Sequence, residues 1–361
     1  MKQAVNIARV LVGGLFIFSG LVKAIDPLGL AYKMQEFFEI WAAEGFMKGM
    51  MLSLNEHALM FSIVMITLEV VLGVALLLGW RTKLVSWLLL LLMLLFTFLT
   101  SYVLFSGKIR ACGCFGDCIP LTPIQTFTKD IVLLILVLLI LVGRRYIKPI
   151  FSNTVNTILV LLSFFGVLGL QWYVLNHLPV KDCLPFKVGN NILELRKMPK
   201  DAIPDKFDYK FVYKKNGENK EFAVSALPDS TWEFVERKQV LVEKGKNNIP
   251  LINDFVLKTA NDNDTTEAIL NQPGEYYLLL AKDFNKKDKW YNDFKLFYAK
   301  RTLPVFLVTS DPAAAKEIFA IPGLIILSCD GTAIKTAARV NPTLFLMKGP
   351  VVKDKKAFMD F

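Results

Sequence analysis

The chain has 361 residues, 54% of them hydrophobic and 20% charged, with a formal net charge of +10. Soluble domains average about 45–50% apolar and about 25% charged, so this composition leans toward the membrane class and excludes a disordered chain. Residues 1–178 hold 13 basic and 8 acidic side chains against 29 and 24 in residues 179–361, which excludes a soluble enzyme or one compact domain. The basic excess is spread evenly, and no Lys/Arg run is interleaved with aromatics, so nucleic acid is not an expected partner.

A bilayer core takes about 20 apolar residues per helix. Five stretches meet that length, near residues 5–25, 58–79, 84–105, 126–143 and 153–177. Trp80, Trp87, Trp172 and Tyr173 lie toward span ends, where an interfacial aromatic belt belongs. With the N-terminus taken as cytoplasmic, segments 1–9, 79–83 and 143–151 carry seven basic residues and no acid in 23 positions. The opposite loops, 23–57 and 106–129, spread six basic residues over 59 positions. Basic density therefore predicts a multi-pass protein of the cytoplasmic (inner) membrane, in contact with lipid. Five spans then put the second half outside, in the periplasm of a Gram-negative cell.

In chain order, the first span competes with a cleaved signal peptide, since Lys2, an apolar run and small residues near Ala24 fit one loosely. Ser19-Gly20 and direct continuation into an amphipathic segment favour a retained helix. Residues 28–48 read as an interfacial helix, with Phe37, Phe38 and Trp41 against lipid and Glu36, Glu39 and Glu44 toward water. Glu69 falls near the middle of the second span, where a carboxylate must be protonated, paired or facing a polar cavity. It reads either as a proton donor or acceptor beside a bound quinone or as an interhelical hydrogen bond that fixes packing. Arg9 reads as a snorkelling anchor rather than as the partner of Glu69.

All five cysteines, Cys112, Cys114, Cys118, Cys183 and Cys329, fall on the outer side of this topology. Three sit in Cys112-Gly113-Cys114-Phe115-Gly116-Asp117-Cys118, directly after the third span, and Cys183 follows the fifth span by about six residues. Three readings stand: a structural staple, a thiolate metal site, and a redox relay exchanging with Cys183 or with a client. The metal reading lacks a nearby histidine, because the chain's two are His57 and His177. The relay is preferred, because Gly113 and Gly116 keep the loop compact and exchange is useful in an oxidising compartment. An odd count leaves at least one thiol free or paired with another chain. Lys129 and Asp130, near the loop at the outer end of span four, read first as a helix-start ion pair, with electrostatic tuning of a thiolate as the alternative.

Beyond the fifth span, residues 179–250 read as mostly β. Phe207 to Lys214, an Asn216-Gly217 turn and Glu221 to Ser225 give the hairpin signal. From 251 onward strands and helices alternate: strands at 275–281, 305–309, 324–328 and 343–347, helices at 287–299, 313–319 and 332–338. That order predicts an open α/β sheet ending in a hairpin across Gly349-Pro350.

Arg9-x3-Gly13-Gly14-Leu15-Phe16-Ile17-Phe18-Ser19-Gly20-x2-Lys23-x2-Asp26-Pro27 resembles the first helix of the DoxX family. Glu69, Gly73 and Leu76-Leu77-Leu78-Gly79 resemble that family's second helix. The Cys112-Gly113-Cys114-Phe115-Gly116 segment, running into Pro120-Leu121-Thr122-Pro123 and Thr128-Lys129-Asp130, resembles the MauE-like branch. The resemblance covers about residues 1–145 and implies a four-helix membrane bundle working on periplasmic thiols. MauE-like proteins are associated with disulfide formation in a partner enzyme, and DoxX relatives with electron transfer to quinone. Asn341-Pro342-Thr343 before the strand TLFLMKG resembles the cis-proline segment of thioredoxin folds. The positions where that fold carries its reactive cysteines read Lys282-Asp283-Phe284-Asn285-Lys286-Lys287-Asp288, without sulfur.

The expected architecture is a DoxX-like four-helix bundle (1–150), a fifth transmembrane helix (151–178), a mostly β region (179–250) and a thioredoxin-like α/β domain (251–361). The expected function is a thiol–disulfide relay through Cys112, Cys114, Cys118 and Cys183 to a membrane quinone beside Glu69. Lys129, Asp130 and Pro342 are the substrate-side candidates, and a periplasmic client protein is the partner. The competing class is a non-enzymatic membrane scaffold whose outer domain docks a partner.

Overall fold

The computed structural model describes all residues except 110–112, 114, 216, 244, 246 and 361. The first half is helical: α1 (Lys2–Ala24), α2 (Pro27–Ala43), α3 (Lys48–Glu56), α4 (Ala58–Leu78), α5 (Thr82–Ser106), α6 (Pro123–Gly143) and α7 (Asn153–Asn176). Of these, α1, α4, α5, α6 and α7 are long and apolar enough to cross a membrane. The chain is a multi-pass membrane protein.

Local chemistry sets the helix ends. Pro27 opens α2 behind the Asp26 carboxylate, which accepts from the Gly29 amide. Thr122 and Gln125 form a reciprocal cap on α6, with Pro123 at its first turn. Gly79 ends α4 at φ +69°, and the Arg9 guanidinium donates to the exposed carbonyls of Leu76 and Leu77 and to that of Lys148. Arg9 thus ties three segments together at the end of the bundle remote from the cysteine loop.

Small residues let α1 and α4 touch backbone to backbone, as apolar helices in lipid require. A Cβ on Gly73 would lie 2.8 Å from the Gly13 carbonyl oxygen, whereas one on Gly14 would meet nothing within 4 Å.

The segment expected as an interfacial helix differs from that reading in two ways. Its helix, α2, ends at Ala43, ahead of a turn that leads into α3 at Lys48, and Phe37 and Phe38 are buried against Ile66, Val70, Leu99 and Val103 rather than lying on lipid. Leu30, Met34, Phe37 and Phe38 form one helical stripe; spacing marks a buried face but not whether lipid or protein covers it.

The second half carries two sheets. It runs α8 (Ile192–Leu195), β1 (Lys206–Lys215), β2 (Glu218–Ala223), β3 (Glu233–Glu243), α9 (Thr266–Leu270), β4 (Glu275–Ala281), α10 (Tyr291–Lys300), β5 (Val305–Thr309), α11 (Pro312–Ile318), β6 (Ile325–Ser328), α12 (Gly331–Ala337), β7 (Thr343–Lys348) and β8 (Val351–Ala357). Strands β2-β1-β3 form an antiparallel sheet. The expected hairpin is its first half; Asn216 of the proposed turn lies outside the described residues, and Gly217 has φ +87°. Strand β3 lies inside the stretch expected as mostly β, beyond the hairpin signal.

The larger sheet has the order β6-β5-β4-β7-β8, parallel from β6 to β4 and antiparallel beyond. Alternation along β4 sends Leu278 and Leu280 to one face, with Ile334 and Ala337 of α12. Leu279 and Ala281 go to the other, with Phe294 and Tyr298 of α10 and Ala315 of α11. Helices therefore cover both faces of an α/β sheet. Phe186, Ile192, Ile252, Phe255 and Leu257 join the first of these cores. Phe186 and Ile192, from the stretch expected as mostly β, thus pack into this core, and the small sheet lies between them and Ile252 in sequence. The Asn341–Pro342 peptide is cis.

Candidate functional site

Cys118 and Cys183 form a disulfide with Cα atoms 4.9 Å apart across 65 residues of sequence. It joins the α5–α6 loop to the segment leaving α7, and both half-cystines are half-buried. The loop turns through Gly113 and Gly116 at φ +70° and +58°, values that L side chains rarely adopt. Cys112 and Cys114 lie outside the described residues. Cys329 is a free thiol in the α/β core, far from the other sulfurs in sequence, and burial pushes it up to about 12.

An aspartate precedes each half of the bridge, Asp117 and Asp182, and each meets a cation from the α/β domain. Arg339, between α12 and β7, donates through Nε to Asp26 at 2.8 Å and through Nη2 to Asp117 at 2.6 Å. Its third nitrogen, Nη1, donates to the Lys335 carbonyl at 3.0 Å. Lys355 on β8 donates to Asp182 at 2.7 Å. The ring of Tyr32 on α2 lies under both Arg339 and Lys335. Burial pushes the Asp26 carboxyl up against the opposing pull of Arg339, and pushes the Tyr32 phenol up to about 12. Burial alone would pull Arg339 down, but Asp26 and Asp117 hold it above its ordinary value.

Below the loop, Glu69 pairs with Lys23, and both side chains are almost wholly buried. Ser19 donates to the other Glu69 oxygen at 3.1 Å. The missed partner is Lys23, which basic counting puts in the outer loop, whereas it belongs to the last turn of α1. Its signal is the i,i+4 spacing from Ser19, which sets both on one helix face. Lys23 also lies 5.2 Å from the centre of the Phe96 ring.

Lys129 and Asp130 pair at 3.0 Å at the start of α6, and Lys129 lies 4.9 Å from the centre of the Phe115 ring in the cysteine loop. Asp130 is buried, and its Oδ2 has no hydrogen-bond partner among the described residues. The two charge pairs and Ser19 line one cleft, walled by Phe16, Met34, Met93, Phe96 and Leu133 and closed on the loop side by Phe115. Its volume is about 30 Å³, room for one or two waters.

Thus Glu69, Lys129 and Asp130 come together beneath the loop, and Cys118 reaches Cys183. Pro342 does not join them as an open peptide edge: it is buried, and β7 is paired on both sides by β4 and β8. Arg339, three residues upstream, makes the contact instead. The repeated Asp-Cys dipeptide at 117–118 and 182–183 was the available signal for this cluster.

Residues 1–143 match the family described as Methylamine utilisation protein MauE, and residues 207–244, the small β1–β3 sheet, match a domain of unknown function (DUF8463). The chain is similar to Protein TlpB of Flavobacterium psychrophilum, 33% identical over 131 residues, which are 36% of this chain and 34% of TlpB. It therefore spans about a third of the length of that curated relative. No solved structure matches it. The family match runs from α1 to the last residue of α6 and takes in Glu69, the cysteine loop and the Lys129–Asp130 pair. The similarity to MauE therefore lies in the membrane part of this chain, residues 1–143.

Proposed function

We propose that the protein is a thiol–disulfide redox protein of the bacterial cytoplasmic membrane that takes two electrons from a periplasmic dithiol client and passes them to a membrane quinone. The observation that carries this reading is the Cys118–Cys183 bridge, closed from two separate segments beside a charged cleft in the bundle. In the first step a client thiolate attacks one bridge sulfur, forming a mixed disulfide and releasing the other sulfur as a thiol. The second client thiol then displaces the remaining bridge sulfur. The client leaves as a disulfide, and Cys118 and Cys183 hold its two electrons and two protons. Cys112 and Cys114, in the same loop, are the candidates for onward exchange.

The cleft suits a quinone by chemistry and is too narrow by volume, since about 30 Å³ holds no ring. Admitting one would take displacement of side chains that wall the cleft, such as Phe96, Met93 or Phe115. When bound, a quinone supplies an acceptor for two electrons and two protons. On the protein side, Lys23 and Lys129 bring ammonium donors to the cleft, and Glu69 and Asp130 bring carboxylate oxygens able to exchange protons. The apolar walls keep bulk water out and strengthen those contacts.

Basic density supports a cytoplasmic N-terminus and a periplasmic C-terminal half. The α/β domain has the strand pattern and cis-proline of a thioredoxin-like fold, but 282–288 carries no sulfur, so its part is docking rather than electron transfer. The second reading, a scaffold, is favoured by the ion pairs on Asp117 and Asp182, which suit a permanent staple.

Differential alkylation in intact cells separates the two. In the relay, Cys118 and Cys183 become alkylated as thiols when quinone is depleted and return to the bridge on resupply. A bridge that stays closed under both conditions refutes the relay and leaves the scaffold. A reporter fused after Phe361 should read periplasmic, and cytoplasmic activity there would invert the topology.

A further inference from the structure

The cations at the bridge come from a different domain than the sulfurs. Arg339 is 222 residues from Asp117, and Lys355 is 173 from Asp182. Their side chains are 7% and 6% exposed, and Lys355 is also seated over the Phe345 ring at 4.8 Å. Stranding either charge inside the protein is costly, so these contacts are not freely exchanged for water.

We propose that Arg339 and Lys355 are positioning residues for the Cys118–Cys183 disulfide, clamping the carboxylate beside each half-cystine so that docking of the α/β domain and closure of the bridge stabilise each other. An intact bridge holds Asp117 and Asp182 together, so the second ion pair forms at high effective concentration once the first has formed. Reduction, by two electrons and two protons from a dithiol, frees the α5–α6 loop from the segment after α7. Each aspartate must then be fixed separately, at a further cost in chain entropy. The coupling is reciprocal: whatever the bridge adds to docking, docking adds to the bridge. It holds whether or not a quinone is the final acceptor.

The test uses the full chain in lipid nanodiscs, equilibrated against mixtures of reduced and oxidised dithiothreitol. The bridge is read by mass spectrometry of the alkylated Cys118 and Cys183 peptides. Arg339→Gln and Lys355→Gln should each shift the equilibrium toward the thiols by about tenfold, within the range of about 5–150-fold for coupled sites. That is about 30 mV for a two-electron couple. Arg339→Lys keeps the charge but not the two-pronged reach to Asp26 and Asp117, and should fall between. Lys238→Gln, which removes an exposed cation paired with Glu221 on the small sheet, should leave the equilibrium where it was. In the unmutated chain, reduction should speed hydrogen exchange at 26–33 and 335–342. Equilibria of the two Gln variants equal to the unmutated chain, or a matching shift in Lys238→Gln, overturn the proposal. If the Gln variants do not accumulate, unchanged exchange on reduction of the unmutated chain overturns it as well.

Discussion

Replacing Lys23 with methionine would leave the Glu69 carboxyl inside the bundle with its charge partner gone. The two side chains are 4% and 2% exposed, so water does not take over the lost contact. Removing one member of a buried pair costs about 3–5 kcal/mol, because the remaining charge is uncompensated. Methionine keeps most of the apolar stem, so little of that cost is lost packing, although the contact with Phe96 goes too and is worth about 2 kcal/mol when desolvated. Set against a total stability of about 5–15 kcal/mol, the variant should unfold at markedly lower denaturant and accumulate poorly. Glu69→Leu alone strands Lys23 and should cost a similar amount. The double replacement Lys23→Met/Glu69→Leu removes both charges and should recover most of the loss. The assay is reversible unfolding in mixed detergent micelles, run as a double-mutant cycle. Single variants that each cost under about 1 kcal/mol, or a double variant that costs their sum, would refute the reasoning that each of these buried charges depends on the other.

Gly73→Ala pushes a methyl to within 2.8 Å of the Gly13 carbonyl oxygen and should cost about 1–3 kcal/mol by the same unfolding measurement. Gly14→Ala, with nothing within 4 Å, should be neutral or gain up to about 1 kcal/mol in helix propensity. Arg9→Met strips the donor from the Leu76 and Leu77 carbonyls and should cost about 2–3 kcal/mol, with Arg9→Lys milder. Cys329, pushed up to about 12 by burial from an ordinary value of 9.0, should alkylate about 1000-fold more slowly at pH 8 than an ordinary thiol, and freely once unfolded. Mass spectrometry of maleimide-treated native protein checks this. Above pH 9 the unfolded chain releases the Cys329 proton while the folded chain keeps it until about 12. The folded state then binds more protons, so this thiol lowers stability as pH rises through that window, and Cys329→Ala should flatten the loss.

The local features of this protein were legible in its sequence because local physics produces them. An unbroken apolar run of span length can satisfy its backbone in lipid only as a helix, so all five crossings fall within a few residues of where hydropathy puts them. Alternation, turns and β/α order carried the large sheet in the same way, since side-chain period is a property of the chain itself. The pairings that build the site are of another kind. Lys23 meets Glu69 across 46 residues, Cys118 meets Cys183 across 65, and Arg339 meets Asp26 across 313. No spacing rule selects among distant groups of like chemistry, and two errors came from that gap. Basic counting puts Lys23 in a loop, and the spacing of the α2 aromatics cannot tell lipid from the protein that covers them. By itself the sequence determined a basic, five-span membrane chain with an α/β half and a cysteine cluster directly after the third span. Only the tertiary structure decided which charges neutralise one another and which sulfurs bond, because those choices follow from how separately folded segments are packed side by side.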